Sequence, residues 1–256
     1  MTLLPHFATL QAPVHWQSVD LISDLHLQSS EPATFEVWRT HMQHTRADAV
    51  LLLGDVFEVW VGDDAVAQDP FLQACAQVLR QASQRMTVGF MPGNRDFLVG
   101  SEFLKSCAVH DLTDPTVLNF AGQRWLLSHG DEGCLGDSDY QAFRSTVRQP
   151  AWQQSFLAKP LAEREDIARQ LRMQSQQHKN DPATVYADVD NAWAETALKQ
   201  SHCTCLLHGH THRPGDHLLE GSSNLQRRVL SDWDAQTTKP RAEVDRKSTR
   251  LNSSHG

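Results

Sequence analysis

The chain has 256 residues, 40% of them hydrophobic and 21% charged, which suits a globular domain able to bury its own core without staples. Its net charge of −8 argues against a broad nucleic-acid surface, so nucleic acid is not an expected partner. No window approaches the roughly 18 apolar residues of a membrane span, the N-terminus lacks a signal-peptide pattern, and Cys75, Cys107, Cys134, Cys203 and Cys205 form no CxxC pair, so reduced thiols in the cytoplasm are expected.

Residues 1–17 carry no clear pattern. Residues 19–22 read as a short apolar strand that ends at Ser23-Asp24. A helix is expected over 35–44. Residues 49–53 are continuously apolar, as a strand buried on both faces should be, and end at Gly54-Asp55. Residues 70–86 place Phe71, Cys75, Val78, Leu79, Ala82 and Met86 at helical spacing. Strands follow over 87–91, 124–128 and 203–207. They stop at Pro92-Gly93-Asn94, His129-Gly130-Asp131 and His208-Gly209-His210. Strands separated by helices imply an α/β core, and ligands of such cores gather beyond the carboxyl ends of the strands. Residues 140–199 change character: they are helical, rich in Gln and Arg, and could form a cap. Trp152, Phe156, Leu157, Leu161, Ile167, Leu171 and Met173 give it apolar surface, and Lys159-Pro160 should interrupt a helix.

The last residues, Asp245 to His255, are what one frame of a common short-read sequencing adapter encodes. The reading frame is therefore expected to run into foreign sequence at about Asp245, making 245–256 an adapter-derived tail and leaving a final strand missing. Asp245, Arg246, Lys247 and Arg250 give this tail a net +2, so the rest of the chain stands near −10.

Five short motifs carry the chemistry: Asp24-Leu25-His26, Gly54-Asp55, Gly93-Asn94-Arg95-Asp96, His129-Gly130-Asp131 and Gly209-His210-Thr211-His212. Asp-x-His on an extended segment would place both side chains on one face. Each motif is weak alone, but all five follow apolar strands. Imidazole and carboxylate mixtures suit Mn, Fe or Zn better than Ca. A carboxylate that bridges two cations holds them close together, and such a pair turns a bound water into hydroxide at neutral pH.

This set resembles the calcineurin-like metallophosphoesterase superfamily over about residues 19–233. The resemblance implies a two-sheet sandwich flanked by helices, within a domain spanning 18–244 that includes a helical cap insertion at about 140–199. It implies that Asp24, His26 and His212 hold one metal, that Asn94, His129 and His210 hold another, and that Asp55 bridges the two. Many members have His where this chain has Arg95. Arginine stays charged and cannot donate a proton in catalysis, but it can clamp phosphate oxygens in a fork. Arg95 therefore points toward pyrophosphate linkages.

The stretches Leu53–Asp64, Gly93-Asn94-Arg95-Asp96-Phe97-Leu98 and His208-Gly209-His210-Thr211-His212-Arg213-Pro214 are similar, more narrowly, to the UDP-2,3-diacylglucosamine diphosphatases of lipid A synthesis. That similarity implies two Mn²⁺ per chain and hydroxide attack at the α-phosphorus, with release of UMP and 2,3-diacylglucosamine 1-phosphate. Peripheral contact with the cytoplasmic face of the inner membrane is implied too. Asp55, Asn94, Arg95 and His210 would be catalytic. Asn94, Arg95, Asp137, Ser175, Lys179 and His210 would meet substrate, although Lys179 and Pro182 depart from the usual cap pattern. Asp63 and Asp64 are candidates to orient ligand imidazoles. The rival expectations are another two-metal phosphoesterase acting on nucleotides or phosphoproteins, and a non-catalytic scaffold with this fold.

Overall fold

The structure is a computed structural model that describes residues 7–180, 187–219, 224–237 and 240–249; for 174–180 only the helix backbone is described. Its core is two packed sheets. One has the strand order β1 (Ala8–Gln11), β6 (Thr116–Phe120), β7 (Gln123–Leu127), β8 (Cys205–His208), β10 (Gln226–Val229), β9 (Gly215–Leu218). The other runs β11 (Asp245–Ser248), β2 (Ser18–Ile22), β3 (Ala49–Leu53), β4 (Thr87–Met91), β5 (His110–Asp111).

The apolar run of β3 shows why the sheets stack. Alternate side chains face opposite ways along a strand. Leu51 and Leu53 enter the layer between the sheets with Leu21, Leu118, Leu127 and Leu207. Val50 and Leu52 face outward onto Trp38 and Leu79. Each such leucine, fully buried, contributes roughly 2 kcal/mol of transfer free energy. The outer layer on this side includes α1 (Pro32–His44) and α2 (Pro70–Ser83). Asp69 fixes the start of α2: its carboxylate accepts from Phe71 N at 2.7 Å, and Pro70 stands where no N–H is needed. On the other outer face, α7 (Asn191–Ser201) packs Ala194, Ala197 and Leu198 against Val117, Leu126 and Leu206.

The remaining helices are α3 (Ser101–Ser106), α4 (Ser138–Val147), α5 (Pro150–Leu157) and α6 (Leu161–Asn180). The break at Lys159-Pro160 separates α5 from α6 as expected. Helices α4–α6 lie over the strand ends that carry the five motifs, and "cap" below refers to them.

Strands β1, β5, β6, β9 and β10 go beyond the sequence expectation: β1, β5 and β9 are short and largely exposed, whereas β6 and β10 carry buried side chains. The strand expected over 203–207 is shifted to Cys205–His208. Residues Asp245–Ser248, set apart in the sequence, pair antiparallel with β2, and Arg246 bonds the buried Asp20 carboxylate. All five cysteines are free and buried. Among the described residues, no helix is long and apolar enough to cross a membrane.

Candidate metal centre

The loops after β2, β3, β4, β7 and β8 meet at one end of the sandwich. Backbone bonds continue the strand pairing into these loops: Asp24 N donates to Gly54 O at 3.1 Å and His26 N to Asp55 O at 2.9 Å. The extended Asp-x-His geometry expected from sequence is not what forms. Asp24, His26, Asp55, His210 and His212 all have left-handed backbones, with φ between 46° and 67°. Such a conformation costs a non-glycine residue on the order of 1 kcal/mol or more, and persists only where neighbours over-determine it. Here Asp24 is held by both its oxygens, which accept from His210 N at 3.0 Å. Two glycines make room. A Cβ on Gly93 would come within 2.2 Å of Asp55 Oδ1, and one on Gly209 within 2.1 Å of Asp24 Oδ2.

The candidate ligands fall into two groups. Asp24, His26 and His212 form one, and Asp55, His129 and His210 the other; within each group ligand atoms lie within 4.8 Å of one another. In the first, His212 Nε2 is 3.4 Å from Asp24 Oδ1 and 3.1 Å from His26 Nε2. In the second, Asn94 Oδ1 lies 3.0 Å from His129 Nε2 and 2.8 Å from His210 Nδ1. Asp55 faces both groups: Oδ1 is 3.5 Å from His129 Nε2 and Oδ2 is 3.9 Å from His26 Nε2. All seven residues named from sequence are thus brought together.

The electrostatics suit cations. Burial alone would lower the His129 pKa. Asp55, Asp24, Asp131 and Asp114 outweigh it and push the pKa up to about 9. Burial likewise opposes a charged His26, yet Glu58, Asp55 and Asp24 raise its pKa. A field that draws protons onto buried imidazoles also favours divalent cations, and the nitrogen–oxygen donor set suits a transition metal. His210 behaves otherwise: burial and the nearby His129 lower it to about 4, so it is neutral and available as a ligand.

Several supporting residues had no role legible in the sequence. Buried Asp96 accepts N–H groups from Gly93 (2.7 Å), Val56 (2.7 Å), Asp55 and Phe57 (3.3 Å each), and so shapes the loop that presents Asp55. Burial and the Asp55 charge push Asp96 up to about 6 despite these donors. Glu58, not Asp63 or Asp64, stands beside a ligand imidazole, with Oε2 2.8 Å from His26 Nδ1. Asp63 instead accepts from Gly100 N, Phe103 N and Trp60 Nε1, and Asp64 pairs with Arg164 of α6. The expectation that Asp63 and Asp64 orient imidazoles is therefore corrected: the first fixes a helix start and the second anchors the cap. Asp131 ties α4 to the core through Tyr140 Oη (2.5 Å) and Arg144 Nε (2.9 Å).

The candidate substrate residues are less uniform. Asn94 and Arg95 border a cavity of about 400 Å³ under the cap, and Asp137 lines it as well. Asp137 also caps α4, its carboxylate accepting from Tyr140 N at 3.0 Å. Arg95 donates its backbone N–H to Asp55 Oδ1 at 2.8 Å. Ser175 and Lys179 fall on the last turns of α6, and their side chains lie outside the described residues.

Two clusters of metal-type donors, with the Asp55 carboxylate facing both, at the strand ends of a two-sheet sandwich, are the arrangement of a metallophosphoesterase, a hydrolase that works with divalent metal. Residues 18–214 match the calcineurin-like phosphoesterase family. The chain is 42% identical over 235 residues to a UDP-2,3-diacylglucosamine hydrolase of Bordetella pertussis, covering 90% of this chain and 89% of that one. It is 42% identical to the protein of that name from Chromobacterium violaceum (84% and 90% covered) and 41% identical to that from Aromatoleum aromaticum (83% and 87% covered). The chain belongs to the calcineurin-like phosphoesterases and, within them, to the family of these hydrolases.

Proposed function

We propose that the chain hydrolyses the pyrophosphate bond of UDP-2,3-diacylglucosamine, giving UMP and 2,3-diacylglucosamine 1-phosphate, with two Mn²⁺ ions as cofactors. The observation that carries this reading is the cavity beside Asn94 and Arg95. Phe97, Leu98, Phe143, Trp152, Phe156 and Leu171 make it apolar, and it opens next to the candidate metal ligands. A simple nucleotide or phosphoprotein has no acyl chains to place in such a chamber, whereas acyl chains gain transfer free energy in it.

Asp24, His26 and His212 would hold one cation and Asn94, His129 and His210 the other, with Asp55 between them. When bound, the cations supply an activated water and Lewis-acid stabilisation of the phosphoryl oxygens. Arg95 stabilises the charge that builds on the phosphate leaving from the α-phosphorus. That leaving phosphate needs no proton, so an arginine suffices where an acid would otherwise be required. Neutral His210 faces the Tyr140 ring at 5.9 Å and helps close the site on the cap side. Asp137, Ser175 and Lys179 would contact the sugar–phosphate region. Exposed Phe143, Leu157 and Met173 on the cap support peripheral contact with the cytoplasmic face of the inner membrane.

The test is UMP release from UDP-2,3-diacylglucosamine in the presence of Mn²⁺, compared with UDP-glucose and p-nitrophenyl phosphate. UMP from the acylated substrate at far higher kcat/KM supports the proposal. Turnover of the simple ester with no UMP from the acylated one sinks it, and would favour another two-metal phosphoesterase.

A further inference from the structure

On the two-cation reading above, we propose that Glu58 is a positioning residue that couples the Asp24–His26–His212 cation site to the docking of cap helix α6. Its carboxylate is shared between two parts of the molecule. Oε2 lies 2.8 Å from His26 Nδ1, while Oε1 lies 2.6 Å from Arg172 of α6 and 3.6 Å from Arg95. Glu58 is only 9% exposed, and its N–H donates to Leu27 O at 3.2 Å, next to His26 in the chain. The carboxylate is therefore fixed to the same backbone segment that presents the imidazole.

The geometry has two consequences. With Nδ1 drawn toward Glu58, His26 turns Nε2 into the site, where Asp24, Asp55 and His212 face it. At 2.8 Å the Glu58 carboxylate lies directly behind Nδ1, on the side of the ring away from the candidate cation site. A carboxylate placed behind a ligand imidazole raises its basicity and holds its orientation. Second, Arg172 and Arg95 line both the apolar cavity and a neighbouring larger one of about 740 Å³, and with Val59, Val61 and Ala168 they form the wall between the two. Glu58 anchors that wall. A cation on Nε2 makes Nδ1–H more positive and strengthens the hold on Glu58. By reciprocity, a Glu58 pre-set by Arg172 favours the cation.

The experiment uses metal-free full-length protein titrated with Mn²⁺ by calorimetry, with hydrogen exchange followed over residues 161–173. In wild-type protein two Mn²⁺ bind, and exchange in α6 slows on binding. Glu58→Gln weakens one of the two sites by about 10–100-fold, leaves the other unchanged, and removes the slowing. Arg172→Met alters a side chain that is 40% exposed and keeps the fold testable if Glu58→Gln is insoluble; here too Mn²⁺ no longer slows α6, while His26 keeps its carboxylate. Two wild-type-like Mn²⁺ sites in Glu58→Gln, or unchanged slowing in Arg172→Met, overturn the coupling and leave the two-cation reading standing. Fewer than two Mn²⁺ on the wild-type protein overturn both.

Discussion

The metal platform and the cap are built by opposite means. The platform holds its side chains by backbone: strained left-handed residues, close glycines, and N–H groups aimed at Asp24, Asp55 and Asp96. The cap is held by side chains: Arg164 on Asp64 and the Val61 carbonyl, Arg144 on Asp131, Arg172 on Glu58, Arg148 on the Gly93 carbonyl. A backbone-built site is rigid and pre-organised, as charge stabilisation requires. A cap tied by charged contacts and by the packing of Phe156, Trp152 and Ile167 on the outer core can be loosened one side chain at a time.

The comparison breaks most severely at Asp55. Its two oxygens face the two ligand groups, so Asp55→Ala removes the shared ligand. Turnover should fall by at least about 10²–10³-fold, the cost of losing a single donor to developing charge, and metal analysis should show both cations depleted. Full activity with either cation retained would refute the bridging role. Arg95→Ala separates platform from wall: kcat should drop by on the order of 10²-fold with metal content intact. Loss of metal in that variant would make the Arg95 side chain a structural prop of Glu58, 3.6 Å away, and through it of His26.

Proton competition sharpens the platform's side. In metal-free protein the His129 pKa is raised to about 9, so the stability its protonated form provides is full below its ordinary value near 6.5. It is lost as pH rises through about 9. A cation needs the same nitrogen unprotonated. Mn²⁺ affinity should therefore climb between pH 7 and 9, with proton release seen by calorimetry in buffers of different ionisation heat. A flat affinity with no proton release would show that His129 is not a ligand.

The same contrast explains what the sequence could reveal. The candidate ligands lie in five short motifs that each follow an apolar strand; that pattern picks out the motifs, the family resemblance assigns the ligands, and the fold brings the seven residues together. The left-handed backbone of Asp24, His26, Asp55, His210 and His212 was not legible, because Asp-x-His is compatible with an extended segment until the fold sets Gly209 against Asp24 and Gly93 against Asp55. Strands β1 and β9 were missed because short edge strands with exposed side chains lack an apolar signal, and β10 because its buried position 227 is an arginine. Glu58 and Arg164 were missed for a different reason: each is a charged residue whose partner lies far away in the chain, and only the fold brings Glu58 to His26 or Arg164 to Asp64. Asp63 and Asp64, candidates to orient imidazoles, serve α3 and α6 in space.

On the cap side, Arg164 is the anchor most exposed to test. Its side chain is 3% exposed and satisfies the Val61 and Lys159 carbonyls as well as Asp64, which is itself 59% exposed. Solvent on Asp64 reduces the value of the ion pair, so Arg164→Met should cost about 2 kcal/mol rather than the larger sum for a fully buried pair. That corresponds to a fall of roughly 4–8 °C in thermal midpoint for a domain of this size. An unchanged midpoint would mean that apolar packing by Trp152, Phe156 and Ile167, rather than the guanidinium, holds the cap down.

The smallest effect tests what the cap is for. Phe97, Trp152, Phe156 and Leu171 offer acyl chains a surface with few polar groups, and each CH₂ seated there is worth about 0.8 kcal/mol, or about fourfold in affinity. Because the chains lie away from the reacting phosphorus, that energy is present before and during the reaction. Shortening the acyl chains should therefore raise KM stepwise by up to about fourfold per CH₂ and leave kcat nearly unchanged. The steps should shrink in Trp152→Ala, which opens the cavity to water. If chain length instead changed kcat at constant KM, the cap would be converting acyl contacts into alignment over the metals, and its contacts would belong to the chemical step rather than to substrate binding.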